Sequence, residues 1–347
     1  MTISWQQHLL DNGAHLDDDD VAENFGQPEF EQQAAVDGHV LCDLSHWALL
    51  EISGSDAAEF LQGQFTNDVE LVDTTHSQMT AWCSAKGRVL VTMRLFKRDE
   101  SYCILLPHDS LATVQKRLQM YVLRSDVKIQ DRSDELPRIG VSGPEAHVIV
   151  AGLSTELPED VDEVITENGI TALRLPGPYP RYVFVAEVEP LLEVWNMLSQ
   201  QVQPAGTDAW RLLDILVGIP EVGSDTADEY VPQMLNWHWL GGVSFDKGCY
   251  VGQEIIARTQ YRGTLKRALY TAYIDTENYP EPNADVYAAG ATAGKIVNAQ
   301  AMDAGSCAVL AVLQIEVVDD ELPLNLEHPD GPELMLQLLP YETGEIE

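Results

Sequence analysis

The strongest chemical signal in the chain is one cysteine and its neighbours. Cys249 lies in Lys247-Gly248-Cys249-Tyr250-Val251-Gly252-Gln253-Glu254. The thiolate, not the thiol, is the nucleophile and the metal ligand, and an ammonium two residues away favours it. Glycine on one side keeps the sulfur accessible. Lys247 and Cys249 are therefore the candidate reactive pair. One thiolate cannot close a zinc or iron–sulfur site alone, but it can be one ligand of a shared, transient site. The competing reading is a buried, inert thiol, the usual state of a free cysteine. Cys42, Cys83, Cys103 and Cys307 lie in strand-like or apolar settings and read that way.

The stretch 231–267 around this cysteine also carries Gly241, Gly242, Gly248, Gly252 and Gly263. It holds Lys247, Arg258, Arg262, Lys266 and Arg267, a quarter of the chain's 20 basic residues, against only Asp246 and Glu254. The whole chain has 56 acidic residues and a net charge of -36, so this is a local positive island suited to a polyanionic ligand. An interdomain loop with internally paired arginines would have the same composition.

The global charge excludes other partners. A strongly acidic surface repels phosphate backbones and anionic lipid, so no direct nucleic-acid contact and no membrane association is expected. Solubility or adaptation to salt accounts for the acidity itself. Five cysteines, an odd number with no CxxC pair, argue against a disulfide framework and fit a reducing compartment. Met1 to His8 lack the basic start and apolar run of a signal peptide, so a cytoplasmic location is expected. Nine scattered histidines form no metal-binding pattern, and no phosphate-cradling or nucleophile-elbow motif occurs.

The elements that must position the loop are legible in part. Residues 11–35, with Asp17-Asp18-Asp19-Asp20, read as an exposed leader of weak structure, so order is expected to begin near His39. Val40 to Leu44 and Trp47 to Ile52 read as strands, and Asp56 opens a helix that stops near Gly63. Alternation from Val89 to Phe96, a polar turn at 97–100 and Tyr102 to Leu106 predict a hairpin. A helix follows with Leu111, Val114, Leu118 and Tyr121 in register. Glu167-Asn168-Gly169 predicts a second hairpin, and the segment 144–153 reads equally as helix or strand. Leu191 to Val202 and a segment capped by Thr207 or Asp208 read as helices. After Arg267 the pattern becomes all-β, with short strands over 268–274, 294–298, 307–318 and 333–339. These readings give an α+β fold with an acidic leader over 1–38, two α+β units over 39–135 and 136–265, and a β module over 266–347.

The octapeptide resembles the K-G-C-Y-x-G-Q-E signature of the YgfZ family at every fixed position. The likeness extends to Ala257-Arg258, to Tyr261-Arg262-Gly263 and back to Pro232-Gln233 and Leu240-Gly241-Gly242-Val243-Ser244-Phe245. Upstream, Phe60-Leu61-Gln62-Gly63-Gln64-Phe65-Thr66-Asn67-Asp68 and Ala85-Lys86-Gly87-Arg88 are similar to the family's N-terminal signatures. The resemblance implies the fold of the glycine-cleavage T-protein, with two ferredoxin-like domains and a C-terminal small β-barrel. It implies tetrahydrofolate binding, with Trp47 and Trp210 lining the folate site. Flat rings stack on indole, although both tryptophans could equally be core. Tyr250, Gln253, Glu254, Arg258 and Arg262 complete the expected cofactor-binding set, and the family implies a monomer.

One departure bears on activity. The T-protein places a catalytic Asp where Val91 aligns, and no carboxylate falls between Ala85 and Lys97. Valine can neither accept a hydrogen bond nor act as a base. The resemblance therefore implies a folate-dependent accessory factor in iron–sulfur cluster assembly or repair. Iron–sulfur enzymes, including those that thiolate tRNA, would be its partners, and Cys249 its reactive thiol. The alternative is a folate-dependent one-carbon (aminomethyl) transferase or demethylase. A non-catalytic scaffold that merely keeps the fold is the third reading.

Overall fold

The computed structural model describes residues 4–153 and 156–344. The chain divides into two compact units, each assembled from separated segments. The first takes Met1–Ala57, Glu70–Gln78 and Arg94–Leu213, and the second takes Ala58–Val69, Met79–Met93 and Asp214–Glu347. The boundary falls inside two strands, Gln78–Cys83 and Val89–Arg98.

In the first unit, a six-stranded sheet runs in the order Val164–Glu167, Ile170–Leu175, Arg181–Val185, Arg138–Ser142, Val40–Asp43, Pro204–Ala205. All neighbours are antiparallel except the last pair. The Asn168-Gly169 turn joins the first two strands, with Glu167 opposite Ile170, as the sequence predicts. A core of Leu41, Ile139, Val141, Phe184, Leu191 and Trp195 packs on this sheet. The Val188–Leu198 helix supplies Leu191, Val194, Trp195 and Leu198 from one face, the spacing of an amphipathic helix.

A second sheet in this unit joins the end of Val89–Arg98 to Ser101–Pro107, then Trp47–Ser53, then Lys128–Asp131. The expected hairpin forms with Arg98 opposite Ser101, and Asp99 turns the chain at a positive φ of 54°. The helix Leu111–Val122 buries Val114 and Leu118. Tyr121, expected on the same stripe, is instead exposed, and Val122, four residues after Leu118, is the half-buried residue of the last turn. The ambiguous segment 144–153 contains a short helix, Ala146–Val150.

The N-terminal stretch corrects the sequence reading. Residues 11–35 are not weakly structured. Helix Trp5–Asp11, strands His15–Leu16 and Ala22–Asn24, and helix Pro28–Asp37 precede His39. Trp5 and Leu9 are buried, and the Trp5 ring meets Trp195 edge-on at 5.7 Å. The Trp5 indole N–H donates to Asp43 at 2.7 Å. Buried Glu31 accepts from the backbone N–H groups of Phe25, Gln27 and Gly206. The aspartate run is a solvated turn whose Asp17 carboxylate accepts from Asp19 and Val21. Acidic composition hid a few apolar anchors spaced through the stretch.

The second unit has a six-stranded antiparallel sheet in the order Asn325–Leu326, Asp285–Ala288, Ala291–Asp303, Ser306–Gln314, Arg267–Asp275, Leu334–Gln337. Its core includes Ile274, Val286, Ile296, Val309, Ala311 and Leu313. The change to β structure occurs at Arg267, close to where the sequence places it. Among the described residues, no helix is long and apolar enough to cross a membrane.

Candidate functional site

The second unit draws three distant segments into one hydrogen-bonded frame. Thr66 is fully buried, and its backbone pairs with Ala81 through N–H to O at 3.0 Å. Its hydroxyl accepts from the Ala81 N–H at 2.9 Å and donates to the Gly242 carbonyl at 2.7 Å. The Thr66 carbonyl accepts from the Ser244 N–H at 3.0 Å. The Asn67 amide donates to Met79 and Gly241 carbonyls at 2.8 Å each. Two adjacent side chains thus tie the 60–68 segment to a strand and to the glycine pair that leads into the cysteine loop.

Lys247 completes this tie. It is buried, and its ammonium donates to the carbonyls of Phe65 at 2.8 Å and Asn67 at 2.6 Å. The nitrogen also lies 5.1 Å from the Tyr250 ring centroid, a cation–π approach. Tyr250 is buried, and desolvation pushes its phenol pKa up, with the neighbouring Cys83 thiol adding to the effect.

The other end of the loop is fixed by two glycines in contact. Gly87 has φ +68° and Gly252 has φ +85°. A methyl group on Gly252 would sit 2.5 Å from the Ser84 carbonyl oxygen and 3.0 Å from the Gly87 Cα. One on Gly87 would sit 2.8 Å from the Ile255 Cβ. Only glycine combines that backbone conformation with so close an approach. Ser84 and Arg88 flank the turn, with the Ser84 hydroxyl donating to Asp228 at 2.7 Å and Arg88 to the Glu229 carbonyl.

Between these fixed ends the tip is open. Gly248 and Cys249 are exposed, whereas the other four cysteines are buried. Burial pushes the Cys103 thiol up to about 12 and the Cys307 thiol up to about 11. Iodoacetamide should therefore add one carbamidomethyl group to the native chain, at Cys249, and five to the unfolded chain, as read by mass. Prompt native labelling of a second cysteine would contradict this assignment.

Gly252 caps the helix Gln253–Arg262. The Gln253 amide reaches back to the Gly248 carbonyl at 3.3 Å. Ile256 is the buried side of this helix, and its carbonyl accepts from buried Gln233 at 2.8 Å. Glu254, Arg258 and Arg262 lie outside, at i, i+4 and i+8. The positive island therefore divides. Lys247 turns inward as a brace, while Arg258, Arg262, Lys266 and Arg267 are exposed and make no ion pair among the described residues.

The first unit brings Trp47 and Trp210 together. Their rings are 6.3 Å apart and perpendicular. Trp210 is fully buried, its benzo edge against Gly140, with the Arg181 guanidinium 4.5 Å from the ring centroid. Its Nε1 has no hydrogen-bond partner among the described residues. Trp47 is only half-buried. The His46 ring lies 4.9 Å from that of Trp47, tilted by 39°, is itself buried, and has no hydrogen-bond partner for either ring nitrogen among the described residues. Desolvation, with Arg211 and Arg138 nearby, holds its pKa well below the usual value.

The structure thus groups Lys247, Cys249, Tyr250 and Gln253, with Glu254, Arg258 and Arg262 on the helix that follows, and separately pairs Trp47 with Trp210. Sequence reasoning about side-chain chemistry missed the bracing roles of Thr66, Asn67 and Gln233 and the orphaned ring of His46. The signal for the first three was present, since they lie in the segments that carry the resemblance outside the octapeptide. Val91, at the position aligned with the T-protein's catalytic Asp, is fully buried.

Residues 21–166 match the GCVT N-terminal domain family. A crystal structure of the glycine cleavage system aminomethyltransferase T from Bartonella henselae superposes with a TM-score of 0.79. It covers 96% of each chain at 13% identity, a likeness of fold. The tRNA-modifying protein YgfZ of Yersinia enterocolitica is 31% identical over 309 residues, covering 88% of this chain and 93% of that one. The tRNA-modifying protein YgfZ of Klebsiella pneumoniae is 32% identical over 306 residues, covering 87% and 92%. The extended T-protein-like α+β fold and these full-length relatives agree with the three signature segments, and the chain belongs to the YgfZ family.

Proposed function

We propose that the chain is a folate-binding accessory protein that supports iron–sulfur cluster assembly or repair and, through client enzymes, tRNA modification. The observation that carries this reading is the frame itself. Three signature segments converge on it, and what it displays is one accessible thiol on a mount fixed at both ends. Cys249 is the reactive thiol or transient ligand. Lys247 positions the loop, and Tyr250, Gln253 and Glu254 shape its exit into the helix. Arg258 and Arg262 are the cations available to an anionic tail. Iron–sulfur enzymes are the partners, and the site of action is cytoplasmic. The net charge of -36 disfavours direct binding of tRNA. In the finer architecture that we infer, two ferredoxin-like domains precede the 267–337 sheet, which forms the small barrel.

Tetrahydrofolate is the proposed ligand of the Trp47–Trp210 pair, where it would supply a carrier for a one-carbon unit. The residues fit a flat heteroaromatic group. Trp47 keeps part of its indole open, and Trp210 backs it edge-on with an unpartnered Nε1. Buried Val91 supplies no base for aminomethyl transfer, which is why the accessory reading stands ahead of the transferase.

Titrating tetrahydrofolate while following tryptophan emission tests this. Saturable quenching is expected in wild type, with affinity at least about tenfold weaker in Trp47→Ala. Trp210→Phe is the companion variant, because an alanine at a fully buried tryptophan would open a large cavity. Absence of binding by wild type would overturn the folate assignment. Full function of Cys249→Ala in a complementation assay would overturn the role of the thiol.

A further inference from the structure

The first unit carries a second positive island, away from the cysteine loop in sequence and different in character. The helix Leu111–Val122 ends in a run of exposed apolar residues: Met120 is 68%, Tyr121 51% and Leu123 88% exposed. Soluble proteins scatter exposed apolar residues singly, and a cluster marks an interaction surface. Around it lie Lys116, Arg117, Arg124 and Lys128, all exposed and none ion-paired among the described residues. Within 113–128 the acid is Asp126, whose carboxylate accepts from the Ser55 hydroxyl at 3.0 Å, and beside it the Asp56 carboxylate accepts from the Asp126 N–H at 2.8 Å, so four cations face two carboxylates. Acids outnumber bases 56 to 20 over the whole chain, so an excess of bases here, as around Cys249, runs against the composition of the molecule.

The backbone reinforces the display. Leu123 has φ +46° and ψ -97°, a region that glycine enters freely and a branched residue avoids. The chain holds a leucine there with its side chain almost wholly in solvent. Strain kept at an exposed apolar side chain is a reason to look for something that uses it.

We propose that the outward turn at 116–128 is a docking surface for a segment of another protein that carries carboxylates among apolar side chains. Its apolar groups cover Met120 and Leu123, and its carboxylates meet Arg117, Arg124 and their neighbours. Charge complementarity selects this occupant. RNA and an anionic bilayer are extended polyanions that meet the repulsion of the whole molecule, and four cations offset little of it. A short acidic segment places a few carboxylates within pairing distance only at the patch.

The test uses the full chain and a fluorescein-labelled helical peptide with Leu and Glu on one face, read by anisotropy. Binding is expected, weakened by salt and lost when every Glu of the peptide is Gln. Leu123→Gly and Arg124→Glu should each weaken it by about tenfold or more. Leu123→Gly also controls for folding, since relief of the backbone strain should leave its melting temperature unchanged or raised. Phosphatidylglycerol vesicles and a single-stranded RNA oligonucleotide are the competing probes. The proposal is overturned if the peptide does not bind, if its binding ignores both variants, or if vesicles or RNA bind in its place and are the ligands lost in those variants.

Discussion

Lys247→Met should lower the stability of the second unit by about 3 kcal/mol, because a buried hydrogen bond from a charged donor contributes roughly 1.5–3 kcal/mol. Methionine keeps most of the stem and removes the ammonium. The carbonyls of Phe65 and Asn67 are then left without the donor they now share. A drop of about 5–10 °C in the transition of this unit follows from that loss, measurable by calorimetry and by urea unfolding. Two roles for the lysine can be separated in this way. A lysine that acted only on the Cys249 sulfur would change the rate of thiol alkylation and leave the melting temperature where it was. A brace lowers the melting temperature first, and loop reactivity changes because the mount has loosened. An unchanged melting temperature would refute the brace.

The second large effect is acid sensitivity above the pH range of carboxylate titration. Burial lowers the His238 pKa to about 4 and holds that of His46 well below its ordinary value. Neither ring has a hydrogen-bond partner among the described residues of the folded chain. The unfolded chain takes up protons at both rings as pH falls through about 6.5, whereas the folded chain does not. Unfolding is therefore favoured by acid, and stability is complete above about pH 6.5 and declines below it. For His238 alone the loss should reach about 1–2 kcal/mol, less than the shift would give in full because the ring is partly exposed. Urea midpoints at pH 7.5 and pH 5.5 would check this, a window in which few carboxylates of ordinary pKa (about 4) titrate. His238→Gln and His46→Gln should each flatten the dependence. If the double variant kept the wild-type slope, neither ring would be its source.

Much of the fold could be read locally. The Asn168-Gly169 hairpin, the 89–107 hairpin and the change to mainly β structure at Arg267 announce themselves through turn chemistry and alternation, although the segment read as a strand over 307–318 is strand only to Gln314 and continues as the short helix Ile315–Asp319. The acidic N-terminus could not be read in that way. Trp5, Leu9, Val21 and Phe25 are too widely spaced among acids to form a periodic stripe, and their burial depends on Trp195 and Asp43 far along the chain. The cysteine was legible as chemistry, since a glycine precedes it and a lysine lies two residues away. The direction of Lys247 was not. Proximity in sequence suggested an ammonium beside the sulfur, but its hydrogen-bonding partners lie some 180 residues upstream. The Trp pair was legible only through resemblance. Its geometry, with one ring half-open and the other sealed beneath Arg181, comes from sheet packing that no local pattern encodes.

The frame that carries Cys249 also sets a timetable. Its defining bonds join residues 174, 176, 180 and 182 positions apart. A ribosome adding about 5–20 residues per second needs roughly 10–35 s to travel that far. For that interval Thr66, Asn67 and the Phe65 carbonyl have been synthesised and their partners have not. Contacts of such sequence separation are slow to close in any case. The nascent second unit is thus an open half-structure during most of its synthesis. The thiol itself emerges only with the last residues of the frame, so the chain does not present its reactive group before the parts that fix it exist.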